Sequence, residues 1–289
     1  MKRNVIQIPV VLLTGLLIFA VLLCGCTGNE TKETPVKTAS GTVLTIAGST
    51  TVLPIAAQAA EQFMDTHPDY DVQVSGGGSG VGVQSAAEGT AMIGMSSRDL
   101  KAEEKEKYPD LVEHEIAIDG IAIITHTSNP IPSLTLDQVK GIYDGSITNW
   151  NEVGGSDAAI VVIGRDSASG TREFFHESVM KKEDFVQTQL EKNSNGAVKQ
   201  GVEQTPNAVG YVGLGYVDNA IHAVPITIDG VAVTPSLETV KSKAYPVARP
   251  LLFLTKGEPT GITAEFFAFI DSKEGQQIVA DEGFIPLTN

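Results

Sequence analysis

The run IAIDGIAIITH, from Ile116 to His126, decides how this chain is organised. It is apolar along nearly its whole length and rich in isoleucine, so it reads as a buried strand. A second run of the same kind, PVARPLLFLTK, spans Pro246 to Lys256. Between them lies an α/β segment that starts with the helical stretch SLTLDQVKGIYDG and ends on the strand-like AVPITI. Two long buried strands bracketing an inserted unit imply two crossovers between two lobes. The closing stretch TGITAEFFAFIDSKEGQQIVADEGF is helical by period and is expected to return to the first lobe.

Working outward from that frame, the region before Ile116 alternates strand-like and helix-like runs. TVLTIAG precedes an Ala-rich helix from about Val52 to Asp65; YDVQVSG precedes a helix from about Gly80 to Glu88; AMIGMS follows. This is α/β grammar. A length of 289 residues with 42% hydrophobic content suits two lobes. The expected division is residues 42–124 plus 250–289 for lobe I and 125–249 for lobe II.

The first 25 residues read as a targeting signal: Lys2 and Arg3, an apolar run near Val10 to Leu23, then Leu23-Cys24-Gly25-Cys26. That ending resembles a lipoprotein signal, in which cleavage before Cys26 exposes it for lipid attachment. An uncleaved membrane helix from Val5 to Leu23 is the alternative, and both place the globule outside the cytoplasm. Residues 26–41, polar and Thr-rich after Cys26, are expected to be a flexible tether. Cys24 and Cys26 are the only cysteines, so the globule has no internal disulfide and no thiolate metal site.

The chain carries 20 Lys and Arg against 35 Asp and Glu, a formal charge of −15. Removal of residues 1–25 takes away two bases and no acid, giving −15 − 2 = −17. Such a surface repels nucleic acid. An anion site inside it must rely on local hydrogen bonds.

Four clusters of hydroxyls and glycines stand at expected strand-to-helix turns: GSTTV from Gly48, SGGGSG from Ser75, MSSRD from Met95, and RDSASGTRE from Arg165 to Glu173. The first N–H groups of a helix lack intrahelical partners, a nearby Ser or Thr adds a donor, and glycine lets the backbone approach closely. Together they can receive an oxyanion. The same residues also serve as ordinary N-caps and turn punctuation. Arg165, at the end of a strand, can hold an anion through parallel N–H donors, or form a surface ion pair with Asp166.

Catalytic patterns are sparse. No Gly-Lys pair, G-x-S-x-G elbow or G-x-G-x-x-G fingerprint occurs, and His67, His114, His126, His176 and His222 show no zinc-ligand spacing. Neither a metal nor another cofactor is expected, although a Ser/His/Asp triad assembled by the fold is not excluded by sequence. Trp150 reads as core or turn packing.

With these clusters in hand, AGSTTVLPIA, SGGGSGVG, IGMSSRDL, ITNWNEVGG, IGRDSASGTREFF, AVGYVGLGYV and YPVARPLLFLTKGEP together resemble the phosphate-binding component of the phosphate ABC importer. The resemblance runs over residues 42–289. It implies a type II periplasmic-binding-protein fold, α/β, with an anion held in the cleft between lobes joined by crossover strands. By motif position it implies ligand contacts from Thr50, Thr51, Ser79, Ser97, Arg165, Ser169, Gly170 and Thr171. Some members carry an aspartate at the end of the third motif, where it accepts the proton of hydrogen phosphate, and another two residues after the arginine; this chain has Ser97 and Ser167 there. Asp99 and Asp166 are the nearest carboxylates in sequence.

The expectation is a lipid-anchored, extracytoplasmic, monomeric solute-binding protein that passes inorganic phosphate to an ABC permease, without catalysis. Binding of another tetrahedral oxyanion (sulfate, molybdate or tungstate) and hydrolysis of phosphate esters are the alternatives.

Overall fold

The computed structural model describes residues 42–287. The expected signal segment, the tether and Cys26 lie outside the described residues.

The first half builds three parallel strands, each followed by a helix. β1 (Thr42–Gly48) pairs with β2 (Tyr70–Gly76) and β3 (Ile93–Ser96), and the helices are α1 (Leu53–Thr66), α2 (Ser79–Glu88) and α3 (Ala102–Lys107). Leu44 and Ile46 of β1 point into a core that α1 covers with Ile55, Ala56, Ala59, Ala60 and Phe63, an apolar stripe at helical spacing. Pro54, in the first turn of α1, sits where its missing N–H costs nothing.

The opening run lies within β4 (Leu111–His126), a strand that starts five residues earlier than the apolar stretch. The segment from Leu111 to Gly120 pairs antiparallel with β11 (Ala248–Lys256), and the segment from Ile121 onward pairs with β7 (Ala208–Gly213) and β8 (Ile221–Val224). The inserted segment contributes α4 (Leu136–Asp144), β5 (Val161–Arg165), α5 (Gly170–Ser178), β6 (Leu190–Lys192), α6 (Asn195–Glu203), the hairpin of β9 (Ile226–Ile228) and β10 (Val231–Val233), and α7 (Leu237–Lys241). The main strand order is β2-β1-β3-β11-β4-β7-β5-β6, a mixed sheet. α4 shows how locally these elements are specified: Thr135 and Gln138 form a capping box, and Gly145, with φ of 85°, ends the helix in the left-handed region.

Two large apolar cores result, giving the two-lobed α/β architecture. One joins residues between Leu44 and Ala117 with residues between Leu251 and Phe284, flanked by a small separate cluster of Val83, Ala86, Leu100, Leu252 and Leu254; the other runs from Ile121 to Val247 and adds Ile285. Trp150 is fully buried in the second core and donates its indole N–H to Asn207 O, consistent with packing. The closing stretch is two helices, α8 (Ile262–Ile270) and α9 (Lys273–Asp281). Ser272 breaks it by accepting Gly275 N as a new N-cap, which turns α9 back so that Ile278 and Val279 join the core of α1.

Candidate functional site

The four hydroxyl turns meet where the two lobes touch. Thr50 and Thr51 precede α1, Ser79 opens α2, Ser97 follows β3, and Arg165, Ser169, Gly170 and Thr171 lie between the end of β5 and the start of α5. Thr50, Thr51, Ser79, Ser97, Arg165, Ser169 and Thr171 are all buried. Contacts cross between the first three turns and the fourth: Thr51 Oγ1 lies 3.2 Å from Thr171 Oγ1, and Gly80 N donates to Ala168 O at 3.0 Å. Glycine is required at position 170, because a Cβ there would fall 2.2 Å from Ser79 Oγ and 3.0 Å from Ser97 Oγ.

Capping explains only part of this hydroxyl supply. Ser169 caps α5 by accepting Arg172 N at 3.1 Å, which leaves its own proton free to donate. The N-caps of α1 and α2 are Val52 and Gly78, neither with a side-chain cap bond, so Thr50, Thr51 and Ser79 are not used in that way. The N–H groups of Gly170 and Thr171 make no hydrogen bond among the described residues, as expected of a helix's first turn.

Charge pairing singles out one arginine. Of the four among the described residues, Arg98 pairs with Glu104 and Glu173, Arg172 with Glu191, and Arg249 with Asp119; Arg165 pairs with no acid. Arg165 is 1% exposed, and its guanidinium donates only to Lys192 O and Asn193 O, at 3.2 and 3.3 Å. Burial pulls its pKa down, as it does for any cation taken from water without a counter-charge. The surface pair with Asp166 is not formed. Arg172 pairs with Glu191, stacks on Phe185 and donates from Nη1 back to Arg165 O at 3.2 Å, bracing the turn from its outer side.

Three buried polar residues that sequence reasoning missed complete the arrangement. Asp119 on β4 and Arg249 on β11 are register partners, and Arg249 Nε and Nη2 both donate to Asp119 Oδ2, at 3.0 and 2.8 Å. Burial raises the Asp119 pKa and lowers that of Arg249, while each partner's charge favours the ionised form of the other. Arg249 also reaches Ser97 O and Thr51 Oγ1. Asn195, the first residue of α6, donates from Nδ2 to Thr50 Oγ1 at 3.1 Å and Thr51 Oγ1 at 3.0 Å. Asp119 and Arg249 each stood as a lone charge in the two apolar runs, a signal that could have found them; Asn195, in a polar stretch, gave none.

The carboxylate question also resolves in part. Ser167 is exposed, outside the buried cluster, and so is Asp99. Ser97 is buried, its N–H donates to Ser79 Oγ at 3.0 Å, and the two hydroxyl oxygens lie 3.2 Å apart. Either can be the donor in that pair. If Ser97 donates, its oxygen keeps a lone pair and Ser79 keeps a proton for a ligand, so the pair offers one acceptor and one donor. None of the five histidines bonds to a member of the cluster. Among the described residues no three or more His, Cys, Asp or Glu side chains gather as a metal site.

Two α/β lobes that close over a buried, donor-rich centre define the class: a two-lobed solute-binding protein. The family model described as PBP superfamily domain matches residues 32–274. Phosphate-binding protein PstS of Bacillus subtilis is 36% identical over 298 residues, covering 100% of this chain and 96% of its own. A Clostridium perfringens protein described as a phosphate ABC transporter substrate-binding protein, solved with bound phosphate, is 44% identical with a TM-score of 0.80, over 85% of this chain and 100% of that one. An ABC-type phosphate transport receptor from Vibrio cholerae is 34% identical with a TM-score of 0.69, again over 85% and 100%. This chain belongs to the PstS family of phosphate-binding proteins, within that superfamily.

Proposed function

We propose that this protein binds inorganic phosphate between its lobes and delivers it to an ABC-type permease, with no chemical step. The observation that carries the reading is Arg165: a buried guanidinium without an acid partner, at the end of the strand that leads into the free N–H groups of Gly170 and Thr171, where hydroxyls from both lobes meet. An anion seated there supplies the missing counter-charge and bonds to both lobes at once, which couples binding to closure. Thr50, Thr51, Ser79, Ser97, Ser169, Gly170 and Thr171 are the other proposed contacts. The proposed lobes are residues 42–124 plus 250–289 and residues 125–249; the two main apolar cores support a division of this kind but part nearer Gly120, since Ile121–Ile124 and Ile285 belong to the second core. The relatives' names support phosphate as the ligand and an ABC transporter as the recipient.

The protein acts outside the cytoplasm as a monomer, tethered through a lipid on Cys26; Leu23-Cys24-Gly25-Cys26 supports the anchor. No helix among the described residues is long and apolar enough to cross a membrane. Titration calorimetry with phosphate and with sulfate tests the ligand. Micromolar or tighter phosphate binding is expected, and its absence overturns the reading; preference for sulfate would move the assignment to another oxyanion. Mass spectrometry of the protein isolated from its native membrane reports whether Cys26 is acylated.

A further inference from the structure

The hydrogen bonds behind Thr50 and Thr51 have a fixed direction. Gly213 N–H, which can only donate, points at the Asn195 side chain at 3.2 Å, so the atom it meets is Oδ1. Asn195 Nδ2 therefore faces the threonines and spends its two protons on Thr50 Oγ1 and Thr51 Oγ1. Asn195 N lies a further 3.4 Å from Thr50 Oγ1. Arg249 Nη2, another pure donor, reaches Thr51 Oγ1 at 3.1 Å and is locked there by Asp119. A hydroxyl has two lone pairs and one proton. Both lone pairs of Thr51 are engaged, so its proton must leave forward, toward Thr171 Oγ1 or the anion.

We propose that Asn195 is a positioning residue that sets anion specificity: with Arg249 it turns Thr50 and Thr51 into hydroxyls whose lone pairs are spent, so that they can only donate toward the ligand. This rests on the phosphate reading and deepens it. A wall of obligate donors receives bare oxyanion oxygens and has no lone pair for a ligand proton. The Ser79 and Ser97 pair offers one acceptor, so the site fits a phosphate with one proton and rejects one with two. Specificity for the dianion arises without a carboxylate in the ligand shell.

The ionisable groups around these hydroxyls are Arg165, Arg249, Asp119, Tyr211 and Tyr216. The arginines stay cationic near neutrality. Burial raises the Asp119 pKa, while Arg249 and the Leu214 N–H favour its carboxylate. Burial pushes Tyr216 up to about 12 and Tyr211 higher still.

The test is phosphate titration of wild type, Asn195→Ala and Thr51→Val at about pH 6 and about pH 8, a range that spans the second ionisation of a phosphate group. Wild-type affinity is expected to rise with pH. Asn195→Ala is expected to lose about tenfold or more at the higher pH and clearly less at the lower, since a freed hydroxyl can then accept the second proton. Thr51→Val, which keeps Asn195 against Gly213 and leaves no hydroxyl to accept, is expected to lose affinity about equally at both pH values, and Asn195→Asp, which can still accept from Gly213 N but no longer donates, stands in if Asn195→Ala does not fold. Equal losses at both pH values for the Asn195 variant, unchanged affinity in that variant, or a pH-independent wild type overturns the inference. A wild type that binds no phosphate at either pH refutes the proposed function itself.

Discussion

Gly170 and Ser79 approach so closely across the cleft that no side chain fits at position 170: the nearest hydroxyl oxygen would stand 2.2 Å from a Cβ. The two helix starts that carry them therefore meet in the closed protein almost backbone to backbone. Gly170→Ala is expected to hold the lobes apart and weaken phosphate binding by about 100-fold, the scale of overpacking at a tight contact. Calorimetry measures the loss, and small-angle scattering with saturating phosphate reports whether closure fails. Wild-type binding would show that the contact is not needed.

Arg165 and Asp119 predict opposite behaviour from two buried charges. Arg165→Ala is expected to abolish phosphate binding at micromolar concentration while leaving the ligand-free protein as stable as wild type or more so, because an unpaired buried cation has been removed. Thermal melts with and without phosphate check both halves: the phosphate-dependent rise in Tm should vanish, and the ligand-free Tm should not fall.

Asp119→Asn keeps the shape but leaves Arg249 buried beside a neutral partner. A loss of about 3–5 kcal/mol in stability is expected, as for other broken buried pairs. Urea denaturation provides the measurement, and an unchanged midpoint would mean that Thr51 and Ser97 O suffice to hold Arg249.

Glu173 receives two cations from the facing lobe: Arg98 Nε stands 2.6 Å away and Lys101 Nζ 2.8 Å. Its helix begins with Gly170 and Thr171, so the pair acts as a latch at the mouth of the cleft. Glu173→Ala is expected to speed phosphate release by up to about fivefold, since Lys101 and Glu173 are partly exposed and the buried Arg98 keeps Glu104 as a partner. Stopped-flow release should show the difference at low salt and lose it at high salt.

Ser97→Ala removes the hydroxyl with lone-pair capacity for the ligand's proton. Phosphate affinity is expected to fall about tenfold, with sulfate affinity falling less, so that selectivity narrows. Competition titrations of the two anions measure the ratio, and equal losses would place the acceptor elsewhere.

The lobed α/β fold was legible because its signals are local: two apolar runs long enough to be buried strands, and hydroxyl-rich turns at the ends of strands. The break at Ser272 was hidden, since FFAFIDSKEGQQIV keeps an apolar pattern while an N-cap interrupts it. The hydroxyl turns could be placed at helix starts by the same local reading. What could not be read was direction and pairing. Asp119 and Arg249 are 130 positions apart and meet only through the register of β4 on β11. Asn195 lies 145 positions from Thr50, in a polar stretch that looked like any helix start. Ser167, two residues after the arginine, sits on an exposed turn outside the buried cluster, which its place in the motif did not reveal.

The strand β4 belongs to the hydrogen-bond ladders on both sides of the molecule, with β11 on one part and β7 and β8 on the other. Neither half can be excised as a free-standing fragment, because a cut near Gly120 would give each half a bare strand edge open to foreign pairing. Melting of one half would likewise strip the other of its central strand. The strand that joins the two halves is thus also the seam that makes the protein unfold as a single unit.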